Sequence, residues 1–421
     1  MNVFTVAIVL VLLSVDSCLA THIIYPDGRT AAYYERRKQN YQGHSVNFNV
    51  MEYGAVGDGS RDDNLAFFNT WKAACRAPYN AMVVVPSGYN FLLSPITFSG
   101  PCKSHISVHI AGKIVAPKSP SAWNRNDRTL WIQFLGVSGL TIDGGGIIDG
   151  KGYIWWSKSC KVNDNYPCVQ APTAVSIVKC TNVMVANLQF WNSQQMHLAL
   201  IYSSEIQVMG IKIRAPKQSP NTDGIHLQGA KNVQISNCDI GTGDDCISIV
   251  SGSSNVDIQK ITCGPGHGIS IGSLGKDGEE AQVEKIDVHN IVFTGTNNGA
   301  RIKTWQGGSG YARDVVFEDI TVQNVENPIV IDQYYCDSPS PCGNQNSAVK
   351  IEDVTFKNIK GTSSMSKAVS LMCSRAVPCK GIVMRDIDIK SVMTSHTKSE
   401  CINAFGFASG DIYPANCLNR Y

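Results

Sequence analysis

The sequence carries little charge of either sign. Charged residues make up 17% of the 421 positions, and 36 Lys and Arg against 34 Asp and Glu give a formal net charge of +2. The longest basic run, Arg36-Arg37-Lys38, is short, and no helical recognition pattern accompanies it. This composition argues against nucleic acid as a partner, because nucleic-acid-binding proteins present an extended basic surface.

Long apolar runs are missing beyond the N-terminus. Residues 2–15 form an uncharged apolar run, and Cys18-Leu19-Ala20 supplies the small residues of a cleavage site. This pattern predicts a secretory signal peptide over residues 1–20. No later stretch approaches the roughly 20 apolar residues that a transmembrane helix needs. We therefore expect a secreted, extracellular protein that does not bind a membrane, and the absence of Asn-x-Ser/Thr sequons predicts no N-glycosylation.

Cysteine is plentiful, which suits an exported chain. Without residues 1–20 the formal charge is +3 and 14 of the 15 cysteines remain. The spacing predicts six disulfides: Cys160/Cys168, Cys336/Cys342, Cys373/Cys379 and Cys401/Cys417 in small loops, with Cys75/Cys102 and Cys246/Cys263 over longer separations. Cys180 and Cys238 each end an apolar strand-like run, and we expect them to be buried free thiols.

One segment has helical periodicity. Leu65, Phe68, Trp71 and Cys75 recur at helical spacing behind an Asp cap. We expect this to be the chain's one good helix, covering one end of a sheet-rich body. Residues 21–45 have no sustained period and are expected to form an N-terminal arm or a propeptide.

Short strands with β-branched residues recur through the rest of the chain. Each strand begins with an Asn or a charged residue followed by alternating apolar positions. The first apolar residue of each serves as a marker of the repeat: Val183, Ile206, Val233, Val256 and Ile286 follow one another at steps of 23, 27, 23 and 30. Val315, Val349 and Ile382 continue the series. A period of this length without intervening helices predicts an all-β parallel β-helix with stacked coils. We expect one domain over residues 46–421, with the repeated asparagines stacked inward at a coil corner.

The alternative interpretation of this repeat is a β-sandwich. A sandwich requires hairpin turns between neighbouring strands, for which Asn298-Gly299 is the main candidate. The repeated Asn before each apolar strand favours the β-helix.

Four polar segments between these strands carry chemistry. They are Asn221-Thr222-Asp223, Gly243-Asp244-Asp245-Cys246, Gly266-His267-Gly268 and Arg301-Ile302-Lys303. Asp223 and Asp244 are 21 residues apart and Asp244 and His267 are 23 apart, so one coil step would bring each beside its predecessor. Each segment alone is more typical of a turn. Together they predict acid/base chemistry on an anionic substrate, since clustered carboxylates raise the pKa of one member toward that of a general acid.

These four segments, in this order, resemble the motifs of the polygalacturonase family of glycoside hydrolases, and their flanking residues resemble the plant members. The flanks are Ser219-Pro220, Cys263-Gly264-Pro265 and Thr304-Trp305. The resemblance extends from about Phe48 to the C-terminus. It implies a right-handed parallel β-helix that hydrolyses α-1,4 links between galacturonic acids of de-esterified pectin, with inversion at the anomeric carbon.

The resemblance also implies residue roles. Asp244 would be the general acid, Asp223 and Asp245 would position and deprotonate water, and His267 would tune the acid. Substrate binding would fall to Asn221, Arg301, Lys303 and Tyr335, with Arg suited to a uronate carboxylate. We expect no cofactor and no metal site, a monomer, pectin or polygalacturonate as the partner, and a location in the cell wall.

Two rival functions remain at this point. A pectate lyase can share the fold and polymer, but its β-elimination uses Ca²⁺ held by carboxylates and an arginine base. A catalytically silent wall-binding or allergen-like protein would normally have lost one of the acids, whereas none is lost here. Endo or exo action is left open, because it depends on loops at the ends of the cleft.

Overall fold

The computed structural model describes residues 45–123, 128–338 and 342–420 of the chain. The predicted signal peptide (1–20) and nearly all of the predicted arm (21–45) lie outside these residues. In the described part, strands are numbered β1 to β30 and helices α1 and α2 in chain order. Every strand-to-strand pairing there is parallel, and the strands stack coil upon coil into a parallel β-helix, as expected.

Three stacks of strands form the walls of the β-helix. The first stack begins with β1 (Val46–Asn49), β3 (Ala81–Val85), β6 (Ile106–Ile110), β9 (Ser138–Asp143), β12 (Thr181–Ala186) and β15 (Ser204–Met209). The second stack begins with β2 (Asp58–Asp62), β4 (Asn90–Leu92), β7 (Lys113–Val115), β10 (Ile147–Asp149), β13 (Gln189–Trp191) and β16 (Lys212–Arg214). Both continue in long bent strands, β18 (Lys231–Gly241), β20 (Ser254–Cys263), β22 (Glu280–Thr294), β24 (Ser309–Val325), β26 (Lys350–Ser363), β28 (Cys379–Ser391) and β30 (Ala404–Tyr413).

The third stack carries the polar segments. It comprises β5 (Ile96–Ser99), β8 (Leu130–Leu135), β11 (Thr173–Val178), β14 (Leu198–Ile201), β17 (Ile225–Gln228), β19 (Ile247–Val250), β21 (Ile269–Leu274), β23 (Asn298–Trp305), β25 (Asn327–Tyr335), β27 (Lys367–Met372) and β29 (Lys398–Ile402). Asn298 begins β23 and pairs in parallel with Asn327. The hairpin that the sandwich alternative required at Asn298-Gly299 is therefore not formed.

The marker residues of the repeat stack on one another, with the exception of Val349. Val183, Ile206, Val233, Val256, Ile286 and Val315 pair successively in register. The next partners are Val354 and Ile382, so the choice of Val349 was wrong. Val349 is buried but lies just before β26, at the end of the long connection from β25.

The repeated asparagines also stack, but on the outside. Asn255 Nδ2 donates to Asn232 Oδ1 at 2.6 Å, and Asn232 Nδ2 donates to Glu205 Oε1 at 2.6 Å. These three residues have φ between 55° and 57°, a left-handed conformation that Asn tolerates well. Because they are exposed corner residues, the inward orientation expected from the sequence was wrong.

Helix α1 (Asn64–Arg76) covers the N-terminal end of the core, as predicted. Its buried face differs in part from the predicted one: Trp71 is buried as expected, and so is Phe67, whereas Leu65 and Phe68 are 72% and 45% exposed. Phe67 packs on Phe91, and Trp71 packs on Phe98 and Phe134. The Asp63 side chain accepts hydrogen bonds from the N–H groups of Val56 and Gly57 and does not cap the helix.

The described part holds a second, short helix, α2 (Tyr153–Ser157), which the sequence analysis missed, and 3₁₀ turns at Val50–Tyr53, Pro120–Ala122 and Lys276–Gly278.

All six predicted disulfides are present, and Cys180 and Cys238 are buried free thiols, as predicted. No helix in the described ranges is long and apolar enough to cross a bilayer.

Candidate active site

The predicted catalytic residues converge at the N-terminal ends of β17, β19 and β21 in the third stack. Because Ile225, Ile247 and Ile269 pair in register, Asp223, Asp245 and His267, each two residues before its strand, occupy equivalent places on successive coils. The sequence analysis aligned Asp244 with Asp223. The structure instead aligns Asp245 with Asp223 and places Asp244 one residue earlier, beside His267.

Asp245 is the most enclosed of the three carboxylates. Its side chain is 2% exposed, and its Oδ2 accepts a hydrogen bond from Lys303 Nζ at 2.9 Å. Its Oδ1 accepts from Ser270 Oγ at 2.7 Å and lies 3.9 Å from Arg301 Nη2. Both oxygens thus accept a hydrogen bond, one from a hydroxyl on β21 and the other from an ammonium on β23.

Asp223 is also buried, but no lysine or arginine lies within 4.0 Å of it in the described part of the chain. Ser248 Oγ donates to its Oδ2 at 2.6 Å, and His226 Nδ1 lies 4.0 Å from the same oxygen. Burial, followed by the negative charges of Asp244 and Asp245, holds the pKa of Asp223 well above its usual value. Burial disfavours the charged form of His226 too, which for an imidazole lowers the pKa, here to about 4. This imidazole is therefore neutral at ordinary pH.

Asp244 faces the cleft and is paired with His267. Its side chain is 21% exposed, and its Oδ1 lies 3.1 Å from His267 Nδ1. Burial acts to raise the pKa of Asp244, but the hydrogen bond and charge of His267, helped by Lys303, outweigh burial and lower it. In the free protein, Asp223 therefore holds a proton more readily than Asp244 does.

Glycine and a disulfide fix this geometry. Gly268 has φ +88°, and a Cβ there would lie 2.3 Å from the Asn298 carbonyl oxygen. A Cβ on Gly243 would lie 2.0 Å from the Ser219 carbonyl oxygen. The Cys246–Cys263 disulfide ties the segment that follows Asp245 to the one that precedes His267. The small residues of the motifs are therefore required by close backbone contacts around the acids.

A cleft of about 310 Å³ opens over these residues. Its lining includes Asn221, Asp244, His267, Arg301, Lys303 and Tyr335, together with Lys161, Lys217 and Asp337. Asp223 and Asp245 lie behind this lining. A larger groove of about 890 Å³ runs along the exposed asparagine ladder of the first stack, away from the acid cluster. The chemistry is therefore concentrated in the smaller cleft.

The predicted substrate-binding residues occupy different environments. The Arg301 guanidinium lies 6.0 Å from the Tyr335 ring centre, and its Nε is buried with no hydrogen-bond partner within the described residues. Tyr335 packs edge-on against Trp305, whereas its neighbour Tyr334 turns away and donates to the Cys373 carbonyl oxygen. Of the two adjacent tyrosines, Tyr335 is thus the one at the cleft.

Lys303 is less available than the sequence suggested. Its side chain is 9% exposed and its ammonium is hydrogen-bonded to Asp245. A cation in this position neutralises a buried carboxylate as well as facing the cleft. Lys217, which the sequence analysis did not single out, is an exposed lysine on the same lining.

One cluster has the geometry to hold a metal ion. Asp244, Asp245 and His267 each offer a ligand atom, and these atoms lie within 4.8 Å of one another. The two Asp245 oxygens already accept hydrogen bonds from Ser270 and Lys303. A cation bound by Asp245 would have to displace or repel the Lys303 ammonium, so the donor set fits a metal poorly.

The sequence analysis also missed the residues that hold the acids in place. These are Ser248 and Ser270, which contact Asp223 and Asp245, and His197, whose Nδ1 donates to the Asp223 carbonyl oxygen. His197 Nε2 accepts from the Ser193 N–H, which fixes the tautomer. The triplet Ile-Ser-Ile occurs at 247–249 and again at 269–271. This repeat could have identified the two serines.

Comparison with known proteins identifies the class to which this parallel β-helix belongs. The family model described as "Glycosyl hydrolases family 28" matches residues 75–409. The chain therefore belongs to glycosyl hydrolase family 28, and it is a glycoside hydrolase. The resemblance stated from the sequence is confirmed.

Individual relatives cover most of the chain. A probable polygalacturonase of Arabidopsis thaliana is 47% identical over 371 residues, covering 88% of this chain and 84% of the relative. A second polygalacturonase from the same plant is 44% identical over 402 residues, covering 91% of both chains. The solved endo-xylogalacturonan hydrolase of Aspergillus tubingensis superposes with a TM-score of 0.75 at 24% identity, covering 87% of this chain and 100% of that one. This last likeness shows the fold.

Proposed function

We propose that the protein is a secreted polygalacturonase that hydrolyses α-1,4-galacturonosyl linkages of de-esterified pectin with inversion at the anomeric carbon. The observation that carries the proposal is the cluster of Asp223, Asp244 and Asp245, of which Asp244 lines a cleft that also carries cations. Relatives that align with nearly the whole chain are named polygalacturonases. The substrate is accordingly an anionic sugar polymer.

Cations at the cleft account for recognition of a uronate. Arg301 can bind a carboxylate through two parallel N–H groups, and its Nε lacks a partner in the described structure. Lys217 and Lys303 add positive charge on the same lining. Tyr335 and Asn221 complete the wall that faces the sugar ring. A methyl-esterified substrate would lose the carboxylate that these cations attract.

Asp244 is the proton donor in this proposal because it is the carboxyl that faces the cleft. Water attacks the anomeric carbon, its proton passes to Asp223 or Asp245, the glycosidic C–O bond breaks, and the proton of Asp244 goes to the leaving oxygen. Asp244 has a lowered pKa in the free protein. The entering uronate brings negative charge and displaces water, and both effects raise the pKa of Asp244 toward that of a donor.

The protein acts outside the cell, in the wall, as a single chain without a cofactor. The uncharged apolar run near its start and six disulfides support export. The occupied oxygens of Asp245 support a metal-independent reaction. Hydrolysis of polygalacturonate unchanged by EDTA is expected, whereas calcium-dependent formation of unsaturated, ultraviolet-absorbing products would establish a lyase.

The first test is product analysis on de-esterified polygalacturonate, combined with Asp244→Asn. A ladder of oligomers indicates endo action and monomer from the outset indicates exo action. Asp244→Asn should lower kcat by about 10²–10⁴-fold with little change in KM, since the amide keeps the shape but delivers no proton. Asp337→Asn is the matched control, because Asp337 lines the same cleft but is paired with Lys161.

Circular dichroism must first show that both variants are folded. If Asp244→Asn then retains more than about a tenth of wild-type kcat, short of the general-acid effect, the proton donor is Asp223 or Asp245.

A further inference from the structure

Two serines on neighbouring strands serve two different carboxylates. Ser248 in β19 and Ser270 in β21 pair in register. Ser248 Oγ donates to Asp223 Oδ2 at 2.6 Å, and Ser270 Oγ donates to Asp245 Oδ1 at 2.7 Å. Both serines are buried. The same side chain at the same coil position thus stabilises each of the two acids assigned to water activation.

The two acids differ in what else surrounds them. Asp245 has the Lys303 ammonium at 2.9 Å, and Arg301 lies 3.9 Å away. Asp223 is faced by Asp244 and Asp245, whose charges oppose its ionisation, by the more distant positive charge of Lys303, and by the neutral His226. His197 contacts only its main-chain oxygen. The side-chain hydrogen bond of Ser248 is therefore a main support of the ionised Asp223.

His226 also contacts the Ser248 hydroxyl. Its Nδ1 lies 2.8 Å from Ser248 Oγ. A hydroxyl has one proton to donate, so when that proton points to Asp223, the serine oxygen is free to accept from His226 Nδ1–H. The chain His226 to Ser248 to Asp223 then has all donors aligned toward the carboxylate, and each bond strengthens the next.

We propose that Ser248, supported by His226, is a positioning residue that orients Asp223 as the catalytic base and favours its ionised form, while Ser270 and Lys303 hold Asp245 between a hydroxyl and an ammonium so that it orients the water. This division of roles rests on the proposed function. A carboxylate neutralised by a buried ammonium is a weak proton acceptor, whereas one held by a single neutral donor can take up a proton and release it in each turnover.

The test is the pH dependence of kcat/KM on polygalacturonate for the wild type, Ser248→Ala, Ser248→Thr and Ser270→Ala. Removing the Ser248 donor raises the pKa of Asp223, and activity is lost as the pH falls through that pKa. The acidic limb of Ser248→Ala should therefore move to higher pH by about one unit, the size expected for a hydrogen bond to a charged group. Ser248→Thr restores the hydroxyl and should return the limb toward its wild-type position.

Ser270→Ala is the matched control, since Asp245 keeps its lysine partner. Its acidic limb should move less than half as far. An unmoved limb in Ser248→Ala, or an equal or larger movement in Ser270→Ala, overturns the proposal and makes Asp245 the base. Should Ser248→Ala fail to fold, Ser248→Cys keeps the shape with a weaker donor and should shift the limb in the same direction.

A titration without substrate separates this inference from the proposed function. Aspartate ¹³C-carboxyl NMR, with the Asp223 signal assigned through Asp223→Asn, should show a higher pKa of Asp223 in Ser248→Ala than in the wild type. No change in that pKa overturns the role of Ser248 whatever the enzyme cleaves. A wild type inactive on polygalacturonate with the NMR shift present refutes only the proposed function.

Discussion

Replacing Lys303 with methionine should destabilise the fold as well as impair the active site. The ammonium of Lys303 lies 2.9 Å from Asp245 Oδ2, and the two side chains are 9% and 2% exposed. Methionine fills most of the space of the lysine stem but leaves the buried carboxylate without its cation. Breaking one side of a buried ion pair costs about 3–5 kcal/mol.

The expected value lies near the lower end of that range. Asp245 keeps the hydrogen bond from Ser270 and the nearby guanidinium of Arg301. We therefore expect a loss of about 3 kcal/mol, which for a chain of this length lowers Tm by roughly 4 °C.

The assay is calorimetric or spectroscopic melting of four proteins: wild type, Lys303→Met, Asp245→Asn and the double variant. The double variant should be more stable than Lys303→Met, since no uncompensated charge remains, and the cycle should show coupling between the two sites. Lys217→Met is the control: Lys217 is exposed on the same cleft, so its variant should raise KM and leave Tm nearly unchanged. If Lys303→Met melts like the wild type and only KM rises, Lys303 is a substrate ligand alone and the reasoning is refuted.

Three further predictions follow from the site and the cysteines. His267→Gln should raise the pKa of Asp244, because His267 lowers it, so the basic limb of the pH–rate profile should move to higher pH while kcat falls; an unmoved limb would separate His267 from the acid. Dialysis against EDTA should leave hydrolysis unchanged, and activity restored only by added Ca²⁺ would contradict the proposed reaction. Cys180 and Cys238 should react with a thiol reagent only after unfolding, since both are buried and burial raises the pKa of the Cys238 thiol to about 12; labelling of the native protein would contradict this.

The β-helix could be predicted because its determinants are local and repeated. Each coil needs an apolar strand of similar length at a similar interval, and Val183, Ile206 and Val233 mark that interval directly. Four of the six disulfides were predictable for a similar reason, since small loops bring their cysteines together without knowledge of the remote fold.

The exact partners within the site could not be read from spacing. Steps of 21 to 23 residues left a one-residue ambiguity, and only the strand register places Asp245, not Asp244, above Asp223. The burial of Lys303 depends on its contact with Asp245, 58 residues earlier in the chain. Likewise, the helix pattern containing Leu65 and Phe68 did not reveal its core face, because packing against Phe91 and Phe98 decides which side is buried.

The outward asparagine ladder has a similar explanation. An Asn before each strand satisfies the left-handed corner conformation whichever way its side chain points. Sequence alone therefore predicts the corner but not the direction. In the structure the ladder bonds from coil to coil on the exposed face, through Asn255, Asn232 and Glu205.

The most direct test of the central claim is a ¹H NMR time course of polygalacturonate cleavage that resolves the anomeric protons. An inverting hydrolase acting on an α-linkage releases the β-anomer first, with the α-anomer growing in only by mutarotation. We expect this order for the wild type and about 10²–10⁴-fold slower appearance of the β-anomer for Asp244→Asn. Initial release of the α-anomer, or of an unsaturated sugar, would contradict inverting hydrolysis by the Asp223, Asp244 and Asp245 cluster.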